Sequence, residues 1–599
     1  MRFSLALATT ATLALTSVPF VPAGAAAHTR GHDPAPHTAT GFGGAVSTVD
    51  PTATAVGLNV LRRGGNAVDA AIAAAATLGV TEPFSAGIGG GGFFVHYDAK
   101  SGKVSTIDGR ESGPATMTED IFIDPADGKP YDFAEARVSG LSVGTPGTLA
   151  TWEAAAAKWG TRSLGSLLRP AADVADQGFA VDPTFRQQVA DNAAAFGQFD
   201  STRELYLPGG APPAVGTTLR NPDLADTYRL IAKRGTGVFY RGPIAADIVD
   251  TVQHPPVADD PTGWAYPIRP GDLQLADLAN YQVRHPAPTT SHYRGLTVHG
   301  MSLPSSGGTA VGEALNILEK TDLSKETPIQ AMHRYAEASA LSFADRNRYV
   351  GAYTSQSVLD KLISDDWATQ RACHIDPAKA LTKPVPPGDL TATGCTPAKA
   401  GGPVEQGQST TNLTVADRWG NVVEYTLTIE QTGGNAMVVP GRGFLLNNEL
   451  TDFNFAPTQG TAPDPNLPGP NKRPRSSMSP TIVLKDGKPF LALGTPGGAT
   501  IITTVLQVLI NRIDLGMTLP EAMAAPRASQ RNTAGIQAEP AFREKYGPGL
   551  TALGHTFSAD VAELGAATAI EFTRHGGMIA SAEPSRRGGG AAAVVRPRY

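Results

Sequence analysis

Three consecutive hydroxyl residues, Ser409, Thr410 and Thr411, stand in "GQSTTNLTVADRWGN" directly ahead of a β-branched, alternating run. One reading is a solvated turn before an edge strand, since Ser and Thr readily bond nearby backbone. The other is chemical. A Thr or Ser at a chain's amino terminus carries a nucleophile and, in its own α-amine titrating near neutrality, the base that activates it. An internal residue lacks that amine, so its hydroxyl must first attack the preceding carbonyl and water must resolve the resulting ester. No His/Asp arrangement lies near the run to supply a base instead.

The elements that would position such a nucleophile follow from periodicity. "TTNLTVAD" and "NVVEYTLTIE", separated by "RWG", read as a β-hairpin, and "PTIVLKDGKPFLALGTPGG" as a second one around Asp486-Gly487. "TIITTVLQVLINRID" reads as a buried helix with a strand as the alternative, and "AAAVV" as a final strand. Upstream, the stretch from Ala55 to Val80 has helical spacing broken at Gly64-Gly65. Four glycines, Gly89 to Gly92, then lead into a strand over Phe93 to Tyr97. They allow close backbone approach or leave amides for a ligand. The run lacks the order and the Lys of a phosphate loop, which excludes a nucleotide site. Helices are expected over Pro146–Trp159, Leu164–Gln177, Leu224–Arg234, Gly308–Leu318 and Pro328–Tyr349, and a mobile arm over His28–Gly44. Helices before antiparallel sheet predict an α+β fold with helices layered on packed sheets.

Composition bounds the remainder. With 599 residues, length alone suggests three or four domains. A net charge of −6 without a basic block excludes nucleic acid as a partner class. Residues 1–27 read as a signal peptide: Arg2, an apolar run too short to span a membrane, and Ala25-Ala26-Ala27 before His28. An uncleaved anchor is the alternative to an exported protein. The only cysteines, Cys373 and Cys395, suit a disulfide in an exported chain and offer no metal-ligand cluster with His374.

"TTNLTVADRWGNVVEYTLTIE" resembles the signature of the γ-glutamyltranspeptidase family of amino-terminal-nucleophile hydrolases. "GGNAVDAA", "GIGGGGF", "DGRE", "GTPGT", "LPSSGG", "AEA…FADR", "LLNNELTDF", "PNKRPRSSMSPTIV" and "GTPGGATIITT" resemble family segments too, in family order, from about Gly44 to Ala592. The resemblance implies a four-layer αββα sandwich. It also implies cleavage between Ser409 and Thr410 into a large subunit (28–409) and a small subunit (410–599) that pair as a heterodimer. Thr410 is then the nucleophile, with Thr411 as competitor; Thr428 supports it by a hydrogen bond, and the Gly497 and Gly498 amides form an oxyanion hole. Arg110, Ser476 and Ser477 match the positions that hold a donor's α-carboxylate. Glu430, Glu449 and Asp452 match those that hold its α-ammonium. The plainer alternatives are a surface ion pair of Arg110 with Glu111, solvated acids, and a tight turn at the glycines.

The implied activity is γ-glutamyl transfer or hydrolysis on glutathione-like donors, with water, amino acids or peptides as acceptors and no metal or organic cofactor. The rivals are a glutaryl or cephalosporin acylase on the same fold, and an unprocessed secreted binding protein. This sequence departs from the family pattern at Asn412 (usually His), Glu424 (usually small), Thr432-Gly433 (usually aromatic-Gly), and Glu583 with Ser585 (usually Asp-Pro-Arg). The segment from Phe453 to Arg475 has no Tyr where many relatives carry a lid tyrosine, which predicts an open pocket and prominent hydrolysis.

Overall fold

Alternation along the strands decides the architecture. In the hairpin Thr411–Asp417 and Val422–Thr428, Leu413, Val415, Val423, Tyr425 and Leu427 share one face and pack with helices. Asn412, Thr414, Ala416, Val422, Glu424 and Thr426 take the other face, as a two-residue period requires. Both faces are buried, so this sheet must be covered on each side. The computed structural model describes residues 36–258, 264–395 and 409–598; the expected signal peptide lies outside them.

Among the described residues, twelve strands form the main sheet system. They are β1 (Thr38–Thr48), β2 (Gly91–Asp98), β3 (Lys103–Gly109), β4 (Thr289–Tyr293), β5 (Leu296–Gly300), β6 (Thr411–Asp417), β7 (Val422–Thr428), β8 (Thr481–Lys485), β9 (Lys488–Gly494), β10 (Thr568–Phe572), β11 (Met578–Ala582) and β12 (Ala591–Pro597). The order is β3-β2-β7-β6-β1-β11-β10-β9-β8-β5-β4, with β12 also on β1, and every pairing is antiparallel. β1 serves two sheets: Thr38–Gly41 pairs with β11, and Gly44–Thr48 with β6. It crosses at Gly43 and Gly44, whose φ of +84° and +126° suit glycine. The two sheets then meet face to face, with Asn412 Nδ2 donating to Thr568 Oγ1 at 2.8 Å.

Helices cover both outer faces. On one side α1 (Pro51–Arg62), α2 (Ala67–Thr81), α3 (Thr148–Trp159), α4 (Leu164–Gln177) and α5 (Pro222–Arg234) enclose an apolar core with the hairpin's outer face. On the other side α6 (Gly307–Glu319), α7 (Pro328–Tyr349) and α8 (Thr500–Ile513) pack on β8 and β9. The result is the α+β, four-layer αββα sandwich that the resemblance implies. The segment 500–513 is a helix, which settles the helix-or-strand alternative, and Cys373 and Cys395 form a disulfide with a Cα–Cα distance of 6.2 Å.

Two expectations need correction. The mobile arm over His28–Gly44 is instead strand from Thr38, because Ala39 and its neighbours complete the ladder to β11; residues 28–35 lie outside the described part. The three or four domains suggested by length are one compact unit, Pro36–Tyr599. The cause is pairing between chain ends: β1 lies between β6 and β12, so no segment closes a core of its own.

Glu424 and Asn412 meet between the sheets. Asn412 Nδ2 donates to Glu424 Oε1 at 2.5 Å, while Thr426 Oγ1 donates to Asn412 Oδ1 at 2.6 Å. Gly494 faces them, where a Cβ would come within 2.4 Å of Asn412 Oδ1. Burial pushes the Glu424 carboxyl well above its ordinary value, although bonds from Asn412 and Thr414 pull it down. A carboxyl whose folded pKa is raised contributes its full stability below the unfolded value and loses it as pH rises toward the folded value. Glu424→Gln therefore gains on the parent by about 1.4 kcal/mol per pH unit above the ordinary carboxylate pKa. Thermal melts of both proteins at several pH values check this; a gap constant with pH would contradict it.

Candidate active site

Thr410 precedes β6 by one residue. The register Thr411↔Leu427, carried one step further, brings Thr410 opposite Thr428 at the open end of the hairpin. Alternation places Thr410 on the inter-sheet side with Asn412, and Thr411 on the helix side with Leu413. Thr410 accordingly lines a cavity of ≈ 260 Å³, together with Ser409, Arg110, Thr428, Glu430, Glu449, Asp452, Ser476, Ser477 and Gly498. Thr411 is fully buried and does not line it. Thr410 Oγ1 lies against the carbonyl oxygen of Ser409, the peptide it would have to attack.

Thr428 Oγ1 accepts the Glu430 N–H at 2.8 Å. Among the described residues, no hydrogen bond joins it to Thr410. Gly497 and Gly498 follow β9, with φ of +136° and +56°. Their carbonyls accept from Thr500 and Ile501 at 3.1 Å each, in the first turn of α8. Among the described residues neither glycine N–H is donated to another group, and both stand at a helix amino terminus, where partial positive charge favours a developing oxyanion. Gly498 lines the Thr410 cavity, and Gly497 lines a second cavity of ≈ 660 Å³ with Gln188, Thr432, Glu563 and Arg587.

Arg110 is buried and does not pair with Glu111 on a surface. Its Nη1 donates to Glu449 Oε1 and its Nη2 to Asp452 Oδ2, while Nε reaches the Pro474 carbonyl at 3.2 Å. The sequence reading gives the guanidinium and these acids to opposite ends of a substrate; the structure pairs them with each other. Glu430 sits at φ +76° and accepts from Asn448 Nδ2. Burial raises the Glu449 carboxyl to about 7, with Arg110 pulling it down and Asp452 raising it. Burial likewise raises Glu430 well above the usual range, helped by Asp452 and Glu449. For Arg110, burial opposes the charge, and Glu449 and Asp452 outweigh it, raising its pKa.

Sequence reasoning missed Arg587. Its Nη1 donates to the Thr410 carbonyl and its Nη2 to Ser85 Oγ, both at 2.6 Å, while Ser409 Oγ donates to Ser85 Oγ at 3.1 Å. Both residues of the Ser409–Thr410 peptide are thereby tied to the same pair. The only signal was the irregular "SAEPSRRGGG", whose Glu583 is buried against Arg527 at 2.9 Å and Arg586 at 2.8 Å. The segment expected to lack a lid tyrosine is anchored by Phe455 stacked on Phe122 at 4.3 Å. Asp464 also ties it, accepting from Thr458 Oγ1 at 2.7 Å and the Asn466 N–H at 2.9 Å.

The family model described as Gamma-glutamyltranspeptidase matches residues 53–594. The chain belongs to this family. It is 37% identical over 562 residues, 92% of each chain, to a protein named glutathione hydrolase proenzyme from Bacillus subtilis. It is 33% identical over 554 residues, 91% of this chain and 92% of the other, to a Pseudomonas protein named acylase ACY 1 proenzyme. Among solved structures, cephalosporin acylase from Bacillus halodurans superposes with a TM-score of 0.78 at 28% identity, covering 96% of this chain and 99% of that one.

Removing one partner of a buried ion cluster leaves uncompensated charge. Arg110→Met is expected to destabilise the protein by about 3–5 kcal/mol, since Glu449 and Asp452 lose their shared cation. Denaturant unfolding of that variant and of Arg110→Lys measures it; a loss below about 1 kcal/mol in Arg110→Met would contradict the pairing.

Proposed function

We propose that this chain is a self-processing γ-glutamyltransferase and hydrolase acting on glutathione and related donors. The observation that carries the reading is one cavity holding the Thr410 hydroxyl, a buried guanidinium and three carboxyls, the buried Glu430 and Glu449 and the nearly buried Asp452. A γ-glutamyl group presents a carboxylate and an ammonium on one carbon. It can enter such a site without net charge transfer, its carboxylate replacing acid contacts on Arg110 and gaining Ser476 and Ser477 hydroxyls. Its ammonium then takes up Glu430, Glu449 and Asp452. This exchange answers the cost of separating buried charges.

The first reaction is on the chain itself. Thr410 Oγ attacks the Ser409 carbonyl, the peptide shifts to an ester, and water cleaves it. The products are a 28–409 subunit paired with a 410–599 subunit whose Thr410 has a free α-amine. That amine takes the hydroxyl proton as Oγ attacks the donor's γ-carbonyl. The Gly497 and Gly498 amides receive the oxyanion, the amine leaving group departs protonated, and a γ-glutamyl ester remains on Thr410. Water releases glutamate, or an amino acid or peptide amine takes the γ-glutamyl group. These steps call for no metal or organic cofactor. The amino-terminal pattern at 1–27 supports export; among the described residues no helix is long and apolar enough to cross a membrane.

Likeness to a cephalosporin acylase keeps the glutaryl reading in view, but a glutaryl group lacks the ammonium that would balance the three acids. Intact mass and amino-terminal sequencing of protein from an exporting host is expected to give two chains, the smaller starting at Thr410. Thr410→Ala should remain one chain without turnover. On paired anilides, kcat/KM for the γ-glutamyl substrate should exceed that for the glutaryl one by about tenfold or more, the worth of one charge-assisted contact. A preference for glutaryl would move the acylase reading forward, and an uncut, inactive parent would favour a binding protein.

A further inference from the structure

Behind the donor cavity, and resting on the reading just given, lies a second guanidinium that no step above uses. Arg346, near the end of α7, is 1% exposed. Its Nη2 donates to Ser477 Oγ at 2.7 Å, its Nε to Ser306 Oγ at 2.9 Å, and its Nη1 to Asn347 Oδ1 at 2.9 Å. Ser306, at the start of α6, in turn donates through Oγ to the Ser476 carbonyl at 2.7 Å, and through its N–H to the same oxygen at 2.8 Å. Ser305 fixes the other side, its Oγ donating to the Met478 carbonyl at 2.6 Å.

The direction of these bonds is forced. A guanidinium has donors and no acceptor, so both hydroxyls that touch Arg346 must accept from it. Ser306 then spends its proton on the Ser476 carbonyl. Ser477 accepts from Arg346 on its oxygen, which fixes where that oxygen sits and leaves donation as the role its hydroxyl plays toward an anion. A hydroxyl polarised by a cation on its oxygen is a stronger donor to an anion than one left to rotate. Arg346 itself does not line the cavity, whereas Ser476 and Ser477 do.

We infer that Arg346 is a positioning residue for donor recognition: through Ser306 and Ser477 it sets the Ser476–Ser477 pair as oriented donors to the substrate's α-carboxylate, and so reads that carboxylate without touching it. Its effect must therefore depend on the carboxylate and must pass through Ser477.

The test compares L-γ-glutamyl-p-nitroanilide with 4-aminobutyryl-p-nitroanilide, which keeps the amine and lacks the carboxylate, at high enzyme concentration. Arg346→Gln should lower kcat/KM for the γ-glutamyl substrate by about tenfold or more, mainly through KM, and leave the 4-aminobutyryl value within about twofold. Arg346→Lys should restore part of the loss. In a Ser477→Ala background, Arg346→Gln should cost less than about twofold further. If Arg346→Gln does not mature, Ser306→Ala, which removes one acceptor and keeps the charge, should show the same substrate bias at about threefold. Equal losses on both anilides, or additive effects with Ser477→Ala, would overturn the inference. A parent that turns over neither anilide would instead overturn the γ-glutamyl reading itself.

Discussion

A β-strand shows each of its faces only every second residue, and the site depends on that restriction at β6 and β7. Because Leu413 and Val415 must face the helices, Asn412 and Thr414 must face the opposite sheet. Thr410, in phase with them, arrives at the inter-sheet edge, opposite Thr428 and beside the Gly497–Gly498 turn. Of two adjacent threonines with equal chemistry, only one can stand over the cavity. A one-residue slip in register would exchange them and carry Glu424 into the apolar helix layer.

The same inter-sheet layer also houses a polar pair. Asn412 and Glu424 bond to one another across the hairpin, with Thr426 and Thr568 completing the set. A carboxyl would be costly there alone; accepting from an amide, and held toward its neutral form, it fits between two sheets. Gly494 supplies the room on the facing strand.

Charge is handled differently at the cavity. Arg110 and Glu449 are out of water and Asp452 nearly so, the guanidinium donating to both acids, with Arg346 and Ser306 arranged behind the serines of the same wall. Such a set is neutral enough to be buried and still addressable by a ligand that carries both signs on one carbon. The acids' raised pKa values follow from burial first and from crowding second, so the cluster's charge state is coupled to whatever ion enters it.

Much of this was legible in the residues. The hairpin, the long helix ending near Tyr349, the helical spacing on either side of Gly64-Gly65 and the "GTPGG" turn are local patterns, set by periodicity and glycine chemistry within a few positions. Nine of the ten site residues named from the motifs line one cavity and Gly497 lines a second; each motif fixes its own local turn, and the strand pairing brings the turns together. Less legible were the short strands at 289–300 and 568–582, which have too few residues for a clear alternation, and β1, whose Thr- and Gly-rich start resembles a loose arm until β11 supplies its partner. Arg587, Arg346 and the Arg110–acid pairing were invisible for one reason: they join segments that lie 40 to more than 500 positions apart. The sequence by itself determined the elements, the hydroxyl run and the kinds of charge available. Only the tertiary structure decided which threonine faces the cavity, which acid neutralises which arginine and which guanidinium stands behind the serines, since those choices follow from register and burial between distant strands.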